Sequence, residues 1–392
     1  MQRYLQLEID EDAIERVCPA QPLSEMVITP LRCFDPLILN FIEAFCERIG
    51  HLPDAPNAKA LAFFLRARAL QSAIAEREQQ GPRSPLGLSF HLVPSNVPMS
   101  AFYSALASLL QGNPTLVRLS STLLPEQEAV LAVLAQLLSE PRWQAISERV
   151  RFIRYPHSDT ITRAISAQAA SRVIWGGDAS IAQIRQYPLS AGARELSFAN
   201  RQSLALLDEQ SIRQLPGRSL ELQLSQLATD ISLFDQQSCS SPALLVWVGS
   251  DDSLRERVFR QLAEAYPDEH KQHSAQQAHL QLAAADGRID HYQWIDALGW
   301  GHLRASADEL IVPEHRGGTL YWLQTPDLNW LAQPANFQTC VAVGISRELL
   351  REKLLEHPEF RLDRIVAPGQ ALAFDWHWDG WDLLSALSRS QG

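Results

Sequence analysis

Four short stretches of this sequence carry side chains whose type and spacing suit chemistry. In FDQQSCSSP, Cys239 stands among Gln236, Gln237, Ser238, Ser240 and Ser241, none of which serves as apolar packing. A thiol in such surroundings is presented at a domain edge. Its thiolate is a nucleophile, and backbone N–H groups stabilise it if a turn or helix begins at Ser-Ser-Pro. The other reading of Cys239 is a small buried hydrophobe. In Pro94-Ser95-Asn96-Val97-Pro98, two prolines fix a loop around an amide suited to a developing oxyanion; alternatively Asn96 bonds its own backbone in a turn. Gly176-Gly177 would admit a pyrophosphate close to the main chain, although GxGxxG is missing. Arg118, with Ser120 and Ser121, offers a guanidinium and two hydroxyls to a ribose phosphate, or is a solvated strand end. His270, His273, His279 and His291 lack the spacing of metal ligands, so no metal is expected there and a wet polar surface is.

The elements that must position these groups alternate along the chain. Helical spacing at 35–48 and 58–79 precedes a strand-like run at 86–93, the Asn loop, a helix over 101–110 capped by Ser100, and a strand at 115–119. Gly112 sits where a C-terminal glycine belongs, and the whole reads as a βαβ crossover. A helix at 125–138, strands at 150–155 and 171–175 and helices at 160–170 and 179–186 continue the pattern. Serial βαβ units imply a largely parallel sheet covered by helices, with ligands gathered at strand ends. A helical stretch at 209–233 leads into Cys239, and the apolar run 243–248 opens a second α/β domain. Helices at 254–266, 269–285 and 347–357, strands at 319–323 and 338–343, and a Trp-rich tail at 374–382 follow.

Composition bounds the function. A chain of 392 residues, 46% apolar and 20% charged, suggests two or three folded domains. A net charge of −11 repels a phosphate backbone, which speaks against nucleic acid. Five cysteines without CxxC spacing form no evident disulfide framework and suit a reducing compartment. The first residues carry acids and no signal-length apolar run, and the longest purely apolar stretch is too short to span a bilayer, so a cytoplasmic protein is expected.

Taken in order, these pieces resemble the aldehyde dehydrogenase superfamily. GLSFHLVPSNVP and ALASLLQGNPTLVRLSS look like its proline-bracketed Asn loop, helix, Gly-Asn turn and strand with a basic end. VIWGGDASI looks like its strand–Gly–helix phosphate site, and FDQQSCSSP like the stretch around its catalytic cysteine. SNVP, WGG, QQSCSSP and the terminal DRIVAPGQALAFDWHWDG are closer still to the long-chain fatty acyl-CoA reductase family of bacterial luminescence, from about residue 86 to the end. The resemblance implies an α/β fold with two Rossmann-like three-layer α/β/α domains. Residues 1–207 would hold the N-terminal helices and the nicotinamide-cofactor domain, 208–375 the catalytic thioester domain, and 376–392 a tail packing back on the body. It makes Cys239 the nucleophile and Asn96 the oxyanion donor together with the Cys239 backbone N–H. Pro94, Ser95, Arg118, Ser120, Ser121, Gly176 and Gly177 become cofactor contacts, with Arg118 at the adenosine ribose.

The implied reaction is reduction of a fatty acyl-CoA, or another acyl thioester, to the aldehyde through an acyl-cysteine, with NADPH and, as second choice, NADH. Alternatives keep the fold: an acyl group on a carrier protein or acyl-protein synthetase, a CoA-acylating aldehyde dehydrogenase, or a non-catalytic partner subunit. A homo-oligomer is expected. One departure separates the chain from hydrolytic aldehyde dehydrogenases, which carry a general-base Glu in a Glu-Leu-Gly-Gly segment. Here GARELSFANRQS sets Glu195 out of register without the Gly pair, which suits reduction or transfer to a thiol over hydrolysis.

Overall fold

The protein is represented by a computed structural model that describes residues 2–94, 97–267, 273–304, 310, 312–315 and 317–391. The chain forms two units, Met1–Asn200 with Phe374–Gly392, and Arg201–Ala373.

The first unit contains strands β1 (Glu15–Cys18), β2 (Arg83–Pro85), β3 (Ser89–Leu92), β4 (Thr115–Arg118), β5 (Val150–Arg154), β6 (Ser171–Trp175) and β7 (Arg194–Phe198). Its main sheet runs β1-β5-β4-β3-β6-β7, parallel except for β1. Side chains alternate across a strand, and successive residues here enter different cores. Val117, Phe152 and Val173 join one cluster, while Leu116, Ile153 and Ile174 join another. Both faces are therefore covered, as a parallel sheet requires. The chain builds from β3 to β4 and β5 and then crosses back to β6 and β7, so strand order reverses at β3.

Local chemistry sets the turns of this crossover. Gly112 has φ +74, and a Cβ there would lie 2.4 Å from the Leu31 carbonyl oxygen, so only glycine fits. The helix Ser100–Leu110 is capped differently from the sequence expectation. Met99, at φ 63, is the cap residue, Ser100 is the first residue of the helix, and its hydroxyl donates back to the Val97 carbonyl at 2.9 Å. The single helix expected at 58–79 is two, Pro56–Phe64 and Ala67–Glu78, because Arg66 takes an extended backbone (ψ 148) that the apolar spacing does not reveal.

The second unit contains β8 (Gln202–Asp208), β9 (Pro242–Val248), β10 (Ile289–Ile295), β11 (Leu298–Leu303), β12 (Thr319–Thr325), β13 (Ala335–Val343) and β14 (Phe360–Val366). The order is β10-β11-β12-β9-β8-β13-β14, parallel except for the β10–β11 pair. Leu245, Trp247 and Val341 face one core, and Leu244, Val246 and Cys340 the other. Each unit is a three-layer α/β/α domain.

The unit boundary lies at Asn200–Arg201 and not at 207–208, because β8 pairs only with β9 and β13. Residues 374–392 return to the first unit. There Phe374 and Trp376 pack on Phe64 and Tyr103, β15 (His377–Trp378) pairs with β16 (Trp381–Asp382), and β17 (Ser388–Ser390) pairs with β2.

Candidate active site

In the first unit, the singled-out segments leave neighbouring strands on one sheet edge. Leu92 pairs with Arg118 on one side and with Ile174 on the other. Pro94, Arg118 with Ser120 and Ser121, and Gly176-Gly177 thus all lie at or just beyond the carboxyl ends of β3, β4 and β6, around the point where strand order reverses. That is the usual ligand crevice of an open α/β sheet. Ser95 and Asn96 lie outside the described residues.

Arg118 is half-buried. Its Nη2 donates to the Tyr155 carbonyl at 3.3 Å, its guanidinium lies 5.1 Å from the Tyr155 ring centre, and its buried Nε makes no hydrogen bond. Ser120 is half-buried and Ser121 exposed, and the Ser120 carbonyl accepts from Arg154 Nε at 3.0 Å. Neither Gly176 nor Gly177 has a left-handed φ. A Cβ on Gly177 would meet nothing within 4 Å, and one on Gly176 only the Ser180 Cβ at 3.7 Å. Neither backbone nor internal packing demands glycine at the start of the helix Asp178–Arg185, whereas a diphosphate approaching the main chain would. The residues fit a dinucleotide.

Behind this edge runs a buried polar chain that the sequence reading missed. The Ser171 hydroxyl donates to Ser89 Oγ (2.8 Å), which meets His91 Nε2 (2.8 Å); His91 Nδ1 meets Ser104 Oγ (2.7 Å), which accepts from the Trp175 indole N–H (3.0 Å). Burial pushes the His91 pKa down to about 3, so the ring is neutral, with one nitrogen donating and the other accepting. Trp175, the residue before the Gly pair, is further held by stacking on Phe198 at 3.9 Å.

Glu195 lies on β7. Arg172 Nε (2.9 Å) and Nη2 donate to one carboxylate oxygen and Arg185 Nε (2.7 Å) to the other. Burial raises its pKa, but the hydrogen bonds from Arg185 and Arg172 outweigh that and hold it below the usual value. A carboxylate gripped by two guanidiniums is a poor proton acceptor.

In the second unit, Cys239 lies between the turn Leu233–Gln236 and β9, and is half-buried. No helix starts at Ser-Ser-Pro. Ser240 N–H donates to Ser238 Oγ (3.3 Å), Ser241 N–H to the Ser238 carbonyl (2.9 Å), and the chain enters β9 at Pro242. The Ser240 and Ser241 N–H groups are thus engaged by Ser238 within the turn. What holds Cys239 instead is a set of buried polar side chains. Ser203 Oγ donates to the Cys239 carbonyl (2.6 Å) while accepting from Thr339 N–H (3.1 Å), and Ser240 Oγ donates to Gln338 Oε1 (2.6 Å). Upstream, Phe234, Asp235 and Gln236 have φ of 56, 51 and 60. Three successive non-glycine residues in the left-handed region cost about 1–2 kcal/mol each. Among the other cysteines, burial pushes the Cys18, Cys46 and Cys340 thiols up to about 12, and raises that of Cys33 as well.

Of the histidines, His270 lies outside the described residues, His273 and His291 are exposed and His279 is half-buried. Among the described residues, no three His, Cys, Asp or Glu side chains stand where they could hold a metal ion, and no helix is long and apolar enough to cross a membrane.

A model of the acyl-CoA reductase (LuxC) family matches residues 66–292, more than half of the chain. The chain belongs to this family. The long-chain acyl-protein thioester reductase of Aliivibrio fischeri is 25% identical over 169 residues, 43% of this chain and 33% of that protein. Long-chain acyl-protein thioester reductase 2 of Photobacterium leiognathi is 26% identical over 182 residues, 46% of this chain and 35% of that protein. The matched stretch thus spans about a third of the length of these curated relatives. A solved structure, a putative aldehyde dehydrogenase from Burkholderia cenocepacia, aligns with TM-score 0.59 at 14% identity, covering 90% of this chain and 83% of that one. The fold of this acyl-CoA reductase family member is that of the aldehyde dehydrogenases.

Proposed function

We propose that this protein reduces an acyl thioester to the aldehyde with a nicotinamide cofactor, by way of an acyl-cysteine at Cys239. The observation that carries the proposal is the setting of Cys239 in a chain of this family. It is half-buried in a pinned polar turn, whereas Cys18, Cys46 and Cys340 are buried.

The Cys239 thiolate attacks the thioester carbonyl carbon, the C–S bond to the departing thiol breaks, and that thiol leaves without a strong acid. Asn96 enters as oxyanion donor on the family resemblance. A bound nicotinamide cofactor supplies the hydride that converts the acyl group to aldehyde, restoring the thiolate. Gly176 and Gly177 would lie along its diphosphate and Arg118 at the ribose; Ser120 and Ser121 alongside would suit a 2′-phosphate, which favours NADPH. Glu195, held by Arg172 and Arg185, is a poor candidate for the general base that hydrolytic aldehyde dehydrogenases carry, which suits reduction over hydrolysis.

The thiol carrier is either coenzyme A or a protein. The relatives named acyl-protein thioester reductases favour the second. Intact-protein mass spectrometry after mixing with acyl-CoAs of several chain lengths, and with an acylated carrier protein, tests the reading. One acyl group should add to the native chain and none to Cys239→Ser. Full thioester-dependent NADPH consumption by Cys239→Ser would refute it.

A further inference from the structure

We propose that the left-handed turn Phe234–Gln236, locked by the buried Gln236 amide, positions the Cys239 thiol, which makes Gln236 a positioning residue for acyl transfer. The proposal rests on Cys239 being the nucleophile.

Left-handed residues other than glycine normally occur singly, and Asp and Asn tolerate them best. Here a phenylalanine and a glutamine share the conformation with Asp235, immediately before the segment that carries Cys239. Such a run persists only where its surroundings over-determine it.

The surroundings are visible. Gln236 is 1% exposed, and its Nε2 donates to the Pro242 carbonyl (3.1 Å) and to the Thr319 carbonyl (2.9 Å). Its Oε1 accepts from Gly318 N–H (3.2 Å), and Gly317 N–H donates to the Asp235 carbonyl (3.3 Å). One amide thus ties the turn to the first residues of both β9 and β12. Gln276, fully buried, holds the far side of the same glycine pair by donating to the Gly317 carbonyl (2.8 Å) and the Ala297 carbonyl (2.8 Å). The Gln237 N–H then closes on the Phe234 carbonyl (2.9 Å), and two residues later the Cys239 carbonyl is caught by Ser203.

Cys239 is therefore suspended between Gln236 on one side and the Ser203 and Ser240 hydroxyls on the other. The turn leads directly into the segment that carries Cys239, so a change in its backbone would move the thiol. Displacement of a nucleophile by about an ångström is enough to cost orders of magnitude in rate.

The test uses the full chain and three variants, Gln236→Ala, Asp235→Val and Asp235→Gly. Two quantities are read by rapid-quench mass spectrometry with a long-chain acyl-CoA: the maximal rate of Cys239 acylation and the concentration giving half that rate. The rate of Cys239 alkylation by iodoacetamide, located by peptide mapping, is the third. Gln236→Ala should slow maximal acylation at least about tenfold with little change in half-saturation. Asp235→Val, whose branched side chain opposes the left-handed backbone, should do the same. Asp235→Gly, which retains that backbone without strain, should stay within about threefold of the native protein.

Equal rates in Asp235→Val and Asp235→Gly, or a change confined to half-saturation, would overturn the proposal. Should Gln236→Ala fail to fold, the Asp235 pair decides alone. If the native chain is never acylated at Cys239, the proposed function fails; the alkylation rates then report whether the turn still places the thiol.

Discussion

His91 allows a quantitative test of the first unit's interior. Its ring sits fully buried on β3 between Ser89 and Ser104, and burial lowers its pKa from 6.5 to about 3. The unfolded chain binds a proton below pH 6.5 that the folded chain refuses. The folded pKa being the depressed one, the stability is whole above pH 6.5 and drains away as the pH falls toward 3. At about 1.36 kcal/mol per pH unit, lowering the pH from 7 to 5 should cost about 2 kcal/mol through this residue alone. His91→Asn removes the titrating ring while leaving an amide for Ser104. It should be less stable than the native chain by about 1–2 kcal/mol at pH 7, for the lost hydrogen bond to Ser89 and poorer packing, and the two should become about equal at pH 5. Hydrogen exchange of peptides covering β3 and the helix Ser100–Leu110, measured across that range, reads the difference within this unit. A gap between native and variant that does not change with pH would refute the claim that a neutral, desolvated imidazole holds this network.

Two further outcomes follow from other buried charges. Glu195→Gln leaves the buried Arg172 guanidinium with a neutral partner and should destabilise the first unit by about 2–3 kcal/mol, without changing aldehyde formation or raising thioester hydrolysis. The native advantage should fade as the pH falls through the lowered Glu195 pKa; a collapse of turnover in a well-folded variant would instead make Glu195 catalytic. Asp230, on the helix Gly217–Ser232, is raised from 3.8 to about 6 by burial despite N–H donors from Gly369 (2.7 Å) and Ala371 (3.1 Å). Its folded pKa is the higher one, so its contribution is lost as the pH rises through 6; relative to Asp230→Asn, the native chain should gain about 1 kcal/mol between pH 7 and pH 5 in urea unfolding. A native-minus-variant difference independent of pH would show that Asp230 does not titrate.

What the sequence discloses about the fold is what repeats locally. Ser171–Trp175 and Pro125–Leu138 have the expected bounds because their apolar residues recur at the period of a buried strand and of a helix. β10 escapes notice for the opposite reason. It is an edge strand whose exposed His291, Gln293 and Trp294 leave no apolar alternation. The boundary inside 200–208 is hidden too, since the sequence reading places no element between 186 and 209 and only pairing assigns β7 and β8 to different sheets.

The same contrast runs through the candidate site. Gly176-Gly177 and Arg118 are conspicuous as small or polar residues at the end of an apolar run, and Cys239 as a thiol in a polar stretch ahead of one. The residues that hold them do not. Ser89 and His91 sit in a strand where a hydroxyl and an imidazole look like polar interruptions, until Ser104 and Ser171, 13 and 82 residues away from His91 and Ser89, complete the chain of hydrogen bonds. Gln236 reads as one more polar neighbour of a cysteine, and its function depends on Gly318, 82 residues downstream. A buried amide is stable only when nearly every donor and acceptor is matched, and those matches come from strands the local sequence cannot place. The reacting groups announce themselves by type, whereas the groups that aim them are defined by partners. The Gln236 and Asp235 variants, more than Cys239→Ser, therefore measure what the folded structure adds to the reading of the chain.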